Sequence, residues 1–190
     1  MAFEERAYTV LQSEGSIEVR DYAPALVAET IVEADFEEAG SPGFRILVEY
    51  ISGANAQRES IAMTAPVTQI PEGERIAMTA PVTQELVKQG YRITFMMPSG
   101  RTLEDLPIPD DHRIALREEP GQRYVAIRYS GFWSEKNYQQ QLERLTRWMA
   151  QKGLEPKGSA VWARYDPPFM PWFLRTNEIL IPIGSTTASP

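Results

Sequence analysis

Alternating hydrophobic and polar residues predict three strands at the start of the chain, followed by one amphipathic helix. The predicted strands cover residues 8–11, 17–20 and 25–32. Ser41 is expected to cap the helix and Gly53 to end it, because these residue types suit the two helix ends. The apolar face of this helix has the spacing i, i+3, i+4 and i+7 and consists of Phe44, Leu47, Val48 and Ile51.

A nine-residue segment, IAMTAPVTQ, then occurs twice, at 61–69 and at 76–84. Each copy alternates with the period of a half-buried strand. Pro71 and Gly73 lie between the copies and supply turn chemistry, so the copies are expected to pair as neighbouring antiparallel strands. Pro66 cannot donate a ladder hydrogen bond and is expected at a strand end, a bulge or a sheet edge.

The second part of the chain repeats this order of strands, one amphipathic helix and further strands. Its helix is predicted to begin at Ser134 and to end near Gly153. The predicted strands are 91–97, 113–117, 124–129, 160–165 and 178–183. The pattern therefore predicts an α+β fold with an internal pseudo-repeat, in which a strongly curved sheet closes towards a barrel and two helices pack against it. A ligand cleft is expected between the helices and the sheet, or at a rim loop.

Composition and charge narrow the classes of function. The 190 residues are 43% hydrophobic and 24% charged, as in ordinary globular proteins, so one domain is expected over 1–183, with a disordered polar tail at 184–190. The net charge of −7 argues against binding to nucleic acid or to anionic membranes. No apolar run approaches the ~18 residues of a membrane span. No secretory signal is visible, so we expect a cytoplasmic protein without membrane insertion.

Few residues are available for catalysis or metal binding. The chain has no cysteine, which excludes disulfides and thiolate ligands, and His112 is its only histidine. His112 follows Pro109, Asp110 and Asp111 and is expected in an exposed loop rather than as an axial ligand or a catalytic base. The sequence contains no calcium-binding loop, phosphate-binding loop, dinucleotide fingerprint or nucleophile elbow. We therefore predict no catalytic residues and no metal site built from protein side chains.

A loop at 169–173 is unusual in its aromatic content. Three of its five residues are aromatic, and a solvated loop would not need them. The loop either caps the core or forms the wall of a cleft.

Short motifs along the whole chain resemble one known family. The motifs are EVRDY at 18–22, GF at 43–44, YISGAN at 50–55, MTAPV at 63–67 and 78–82, FMMP at 95–98, SGF at 130–132, ARYDPP at 163–168 and RTNEI at 175–179. Together they extend over about residues 8–183, in the order in which that family has them. The chain is similar to the SOUL/haem-binding protein family.

The resemblance implies a distorted barrel of two pseudo-symmetric β/α halves, flanked by two main helices. It also implies that haem or a related tetrapyrrole binds in an apolar cleft between the first helix and the loop before the last strand. A porphyrin is a flat apolar disc with propionates, which suits aromatic and aliphatic walls with basic residues at the rim. The implied binding residues are Phe44, Arg45, Leu47, Val48, Ile51, Phe169, Met170, Trp172, Phe173 and Arg175.

The chain departs from that family at several basic positions. Residues that are basic in some members are here Ser41, Glu49 and Met170, which leaves Arg45 and Arg175 as the nearby cations. The N-terminal half also contains no histidine that could act as an axial ligand. We therefore expect a non-enzymatic carrier, buffer or sensor that holds haem with weak or absent axial ligation.

Two other functions remain open. The protein could be a sensor or an enzyme acting on another hydrophobic small molecule, with Glu18, Glu49 and Glu178 as the carboxylates near the motifs. A strongly raised pKa of one of these carboxyls inside a cleft would favour catalysis. The protein could also be an interaction module whose apolar groove takes a partner helix.

Overall fold

The computed structural model of the protein describes residues 4–62, 64–72, 90–166 and 169–184. In these ranges the helices are α1 (Gly40–Ile51) and α2 (Glu135–Gln151), with one 3₁₀ turn at Trp172–Leu174. The strands are β1 (Glu4–Glu5), β2 (Tyr8–Glu14), β3 (Ile17–Tyr22), β4 (Ala25–Glu33), β5 (Thr64–Ala65), β6 (Val67–Glu72), β7 (Gly90–Met96), β8 (Ala115–Glu119), β9 (Gln122–Tyr129), β10 (Val161–Arg164) and β11 (Asn177–Pro182).

Nine of these strands form one curled antiparallel sheet with the order β2-β3-β9-β11-β10-β6-β7-β4-β8. The two halves of the chain meet at the pair β10 and β6, and each half has the same arrangement. One half contains β4, α1, β6 and β7, and the other contains β9, α2, β10 and β11 in the corresponding positions. The predicted α+β fold, with a curved sheet of two pseudo-symmetric β/α halves and two flanking helices, is confirmed.

Both helices cover the same face of the sheet, which we call the helix side. Under α1 lies a core cluster that includes Leu47, Ile93 and Phe95, and under α2 lies a second one that includes Leu145 and Trp162. The other face is concave, and its side chains surround a small cavity. The core is therefore concentrated between the helices and the sheet, as alternating strands predict.

The apolar face of α1 differs from the predicted one. Leu47 and Ile51 are buried as expected, but Ile46 and Tyr50 are buried with them, whereas Phe44 is 37% exposed. Val48 is only partly buried. The predicted cap at Ser41 is also wrong, because the helix begins at Gly40 and has no side-chain capping bond.

Glycine explains this rotation of α1. A Cβ atom on Gly43 would lie 2.4 Å from Cγ1 of Ile93, so only glycine allows the helix backbone to approach the sheet there. The backbone of α1 therefore lies closest to the sheet at its glycines. The side chains next to these glycines form the buried face, and Phe44 does not. At the other end of the helix, Gly53 has a φ of 109°, as predicted for a terminating glycine.

The first copy of the repeated segment forms β5 and β6, with Pro66 between them, which agrees with the expected position of that proline. Strand β6 pairs with β7 on one side and with β10 on the other. The second copy, at 76–84, lies outside the described residues, and so does the predicted pairing between the copies.

The helix α2 matches its prediction. Ser134 caps it, and its Oγ accepts a hydrogen bond of 3.3 Å from the backbone N of Asn137. Gly153 follows the helix with a φ of 66°. The predicted tail begins at Gly184, and its remaining residues lie outside the described part of the chain.

A candidate ligand cleft on the helix side of the sheet

A row of three paired residues forms the floor of the candidate site. Val67 of β6 is in register with Phe95 of β7 and with Arg164 of β10. Directly paired residues of neighbouring strands point to the same face. Since Phe95 belongs to the core cluster under α1, Val67 and Arg164 also face the helices.

One flank of α1 overlooks this row. Gly40, Phe44 and Val48 are four residues apart and so lie along one side of the helix. The Phe44 ring contacts the Phe95 ring, with centroids 5.4 Å apart. A Cβ atom on Gly40 would lie 2.2 Å from Nη2 of Arg164. The flank therefore borders the row on the α1 side. We use the name helix-side cleft for the candidate site between this flank, the row and the loop before β11.

The opposite wall comes from the start of α2 and from the loop before β11. The Arg164 guanidinium lies 5.3 Å from the centroid of the Trp133 ring, and the Arg175 guanidinium lies 4.4 Å from the same centroid. Nε of Arg175 donates a 2.8 Å hydrogen bond to the carbonyl oxygen of Met170. Trp133 is held in place by its own 2.8 Å hydrogen bond to Oδ1 of Asn177.

The aromatic residues of this loop are exposed. Phe169, Trp172 and Phe173 are 84%, 48% and 58% exposed. Trp172 stacks on Phe132, with ring centroids 5.0 Å apart, and Phe173 meets Trp172 edge-on. These side chains are exposed and so do not cap the core, and we call them the aromatic rim.

The predicted site residues thus separate into three groups. Phe44 and Val48 lie on the α1 side of Arg164, and Arg175, which contacts the carbonyl oxygen of Met170, lies on the Trp133 side. Phe169, Trp172 and Phe173 are exposed in the same loop as Met170. Leu47 and Ile51 are core residues with 0% and 4% exposure, so they support α1 without facing a ligand. Arg45 is exposed on α1, next to Phe44 in the sequence.

The prediction from sequence missed Arg164, Trp133 and Trp162. The Arg164 guanidinium lies 4.8 Å from the centroid of the Trp162 ring, and Nη2 is 3.3 Å from Oε1 of Gln69. Burial lowers the pKa of Arg164 to about 10, so the side chain stays charged at neutral pH. The spacing of Trp162 and Arg164 could have indicated that Arg164 is buried. Residues two apart on a strand share a face, and the apolar Trp162 indicates that this face is the buried one.

The concave face is chemically different, since its charges are already paired. The fully buried carboxylate of Glu178 accepts hydrogen bonds from Arg20, Arg128 and Tyr165 at 2.6 to 3.0 Å. Burial raises the pKa of Glu178, but these hydrogen bonds, led by those from Arg20, outweigh it and hold the pKa below its ordinary value. The cavity on this face has a volume of about 70 Å³, against roughly 300–1,000 Å³ for typical ligand pockets.

His112 is exposed, as expected, and lies away from the cleft. It borders a surface depression together with Ile46 and Glu49, which lie on the side of α1 opposite Phe44 and Val48. Among the residues that the structure describes, no group of three or more His, Asp or Glu side chains is arranged to hold a metal ion. In the same ranges, no helix is long and apolar enough to cross a membrane.

The curled nine-stranded sheet of two β/α halves, with both helices on one face, defines the fold class of this domain. The family model for SOUL heme-binding protein matches residues 3–182. The chain therefore belongs to the SOUL haem-binding protein family.

Two relatives carry haem-binding names, and two solved structures share the fold. The chain is 28% identical to mouse heme-binding protein 2 over 173 residues, which is 86% of this chain and 80% of the mouse protein. It is 22% identical to Xenopus laevis heme-binding protein 1 over 170 residues, 85% of each chain. The fold is similar to a conserved protein from Listeria innocua, with a TM-score of 0.64 at 12% identity, 89% of this chain and 92% of that one. It is also similar to the C-terminal domain of EcmrR, with a TM-score of 0.61 at 11% identity, 94% of this chain and 98% of that one.

Proposed function

We propose that the protein binds haem or a related tetrapyrrole in the helix-side cleft and acts as a carrier, buffer or sensor. Family membership and the names of its relatives support the ligand class. The observation that carries the location is the exposure of Phe169, Trp172 and Phe173 in one short loop. A contiguous apolar patch of this kind marks a binding surface, because leaving it in water is unfavourable.

The residues of the cleft fit the two parts of such a ligand. Phe44, Val48 and Val67 present apolar surface to the flat ring, and Trp172 and Phe173 supply aromatic surface at the rim. Arg45 and Arg175 supply positive charge for the propionates. Haem bound in this way would be held mainly by apolar contact and charge, with weak or absent axial ligation, and it would bring redox-active iron to the protein. His112 lies on the other side of α1 and does not take part.

The test is a titration of the purified protein with haemin, followed by the Soret absorbance and by tryptophan fluorescence. Trp133 and Trp172 lie at the cleft, so their emission is expected to be quenched as haemin binds. Saturable one-to-one binding at micromolar concentration or below is expected. Weak binding that does not saturate would count against the proposal and would direct attention to other apolar ligands.

Variants locate the site. Phe44→Asp places a charge on the apolar wall and is expected to weaken haemin binding by at least tenfold, because burying an unpaired carboxylate is costly. Val48→Asp is expected to act in the same way. His112→Ala is the matched control and should leave the Soret spectrum and the affinity unchanged. Loss of the haem spectrum in His112→Ala alone would show that the cleft has been placed wrongly.

The exposed rim also keeps a second function open. Phe132, Trp172 and Leu174 are all about half exposed, and a partner helix could bury the same surface. Comparing the binding of haemin with that of another apolar dye separates the two functions. A surface that binds a partner helix is not expected to discriminate between the tetrapyrrole and the other dye. A catalytic role through Glu178 has no such support, because its pKa is lowered rather than raised.

A further inference from the structure

The guanidinium of Arg164 occupies an unusual position at the centre of the molecule. It stands at the end of β10, where the α1 half meets the α2 half, and faces the helices. The rings of Trp133 and Trp162 lie 5.3 and 4.8 Å from it. Its hydrogen bond to Oε1 of Gln69 is long, at 3.3 Å. Aromatic contacts therefore position the group, while most of its donors remain available.

Among the side chains that the structure describes, those of residues 4–62, 64–70, 90–166 and 169–184, no carboxylate pairs with Arg164. Arg20 shows how this chain satisfies a buried guanidinium elsewhere. It forms hydrogen bonds of 2.9 and 3.0 Å to the two carboxylate oxygens of Glu178. Buried charges in proteins are normally paired in this way, since an unpaired one loses its hydration without compensation. Arg164 is therefore placed like one member of a buried ion pair, and the other member is not among the described residues.

The surroundings of Arg164 favour an anion as the missing member. Gly40 is the first residue of α1, so the positive end of the helix dipole lies beside the guanidinium. Glycine at this position lets the guanidinium pack directly against the start of α1, because a Cβ there would lie 2.2 Å from Nη2. Arg175 lies on the same Trp133 ring. Two guanidinium groups and a helix N-terminus therefore surround one apolar cleft.

We propose that Arg164 binds a carboxylate of the ligand at the floor of the helix-side cleft. In the tetrapyrrole this group is a propionate, so the inference rests on the function proposed above. Forked charge-assisted hydrogen bonds between guanidinium and carboxylate make the contact both strong and directional. Arg164 consequently selects ligands that carry a free carboxylate, whereas the apolar walls accept any flat ring.

The experiment compares protoporphyrin IX with its dimethyl ester, which has the same ring but no free carboxylate. Both are titrated by Soret absorbance into the wild-type protein and into the Arg164→Gln, Arg164→Lys and Arg147→Gln variants. Arg147 is exposed on α2 and serves as the control. The wild type is expected to bind the diacid about tenfold or more tightly than the diester, as the loss of a charged hydrogen bond predicts. Arg164→Gln should lower that preference to what Arg45 and Arg175 still provide, Arg164→Lys should keep more of it, and Arg147→Gln should keep all of it.

A second variant protects the test against misfolding of Arg164→Gln. Gly40→Ala keeps the charge but forces the guanidinium out of its position, and alanine suits a helix better than glycine. It is expected to lower the preference for the diacid while the thermal melt stays cooperative. Equal binding of the diacid and the diester by the wild type, or a preference that Arg164→Gln and Gly40→Ala both leave unchanged, would overturn the role of Arg164 and leave tetrapyrrole binding intact. Failure of both porphyrins to saturate the wild type would instead overturn the proposed function and this inference with it.

Discussion

The substitution Glu178→Gln tests how the concave face is stabilised. The carboxylate of Glu178 is fully buried and accepts hydrogen bonds from Nη1 and Nη2 of Arg20 at 2.9 and 3.0 Å. Nε of Arg128 donates at 2.8 Å and the hydroxyl of Tyr165 at 2.6 Å. Glutamine has nearly the same shape as glutamate, so the substitution opens no cavity. It removes the negative charge and places an amide N–H donor against side chains that are themselves donors.

The expected cost follows from the partner that is left behind. The side chain of Arg20 is only 3% exposed and would keep only the partly exposed Glu18, 2.7 Å from its Nε, as a counterion. Removing one partner of a buried ion pair costs about 3–5 kcal/mol, because the remaining charge stays desolvated and loses its buried partner. For a domain of this size, Tm falls by roughly 2–4 °C for each kcal/mol, so we expect a decrease of roughly 6–20 °C. Such a loss is a large fraction of the roughly 5–15 kcal/mol by which domains are stable.

The assay is urea unfolding at pH 7 followed by circular dichroism, with a thermal melt beside it. Glu14→Gln is the control, since Glu14 forms an exposed ion pair of 2.8 Å with Lys152 and its loss should not change the melt. Haemin binding by folded Glu178→Gln should equal that of the wild type, because Glu178 lies on the opposite face from the cleft. A Glu178→Gln protein within about 1 kcal/mol of the wild type would refute the argument from the buried pair.

Three further predictions concern stability. Since hydrogen bonds hold the pKa of Glu178 below its ordinary value, its contribution is complete above the unfolded pKa of about 4.3 and is lost as the pH falls through the lower folded pKa. Urea unfolding should therefore show the gap between wild type and Glu178→Gln narrowing below about pH 4. Ser134→Ala removes the bond to the backbone N of Asn137 and should cost about 1 kcal/mol in the same assay. Gly43→Ala forces a Cβ to within 2.4 Å of Ile93 and should lower stability by about 1–3 kcal/mol, although alanine is the better helix former.

The elements of the fold were predictable because their signals are local. Alternation located the main strands, and the cap at Ser134 and the glycine at 153 located both ends of α2. The orientation of α1 was not predictable in this way. Its sequence contains two overlapping apolar stripes, one through Phe44 and Val48 and one through Ile46 and Tyr50. The choice between them depends on how closely Gly43 approaches the sheet, which is a tertiary contact.

The candidate site was predictable only in part, for a related reason. The resemblance to the family predicts a site at the first helix and the loop before the last strand, and the structure places parts of both near Arg164. Arg164 itself lies in the ARYDPP motif, where its spacing from Trp162 indicates the face of the strand but not the groups that lie above it. Trp133 comes from a different part of the chain, 31 positions earlier, and only the pairing of β10 with β6 and β11 brings it near. Composition and residue spacing therefore could not predict the contact between Trp133 and Arg164.

The two faces of the sheet differ in what a ligand would gain there. On the concave face, an apolar acid would have to enlarge a cavity of about 70 Å³ and compete with Glu178 for Arg20. Both steps cost free energy, because they break packing and a satisfied ion pair. On the helix side, the same ligand would cover aromatic rings that are now exposed and would supply a carboxylate to Arg164. Since each step there is favourable, a flat apolar acid should bind on the helix side even though the more enclosed cavity lies on the other face.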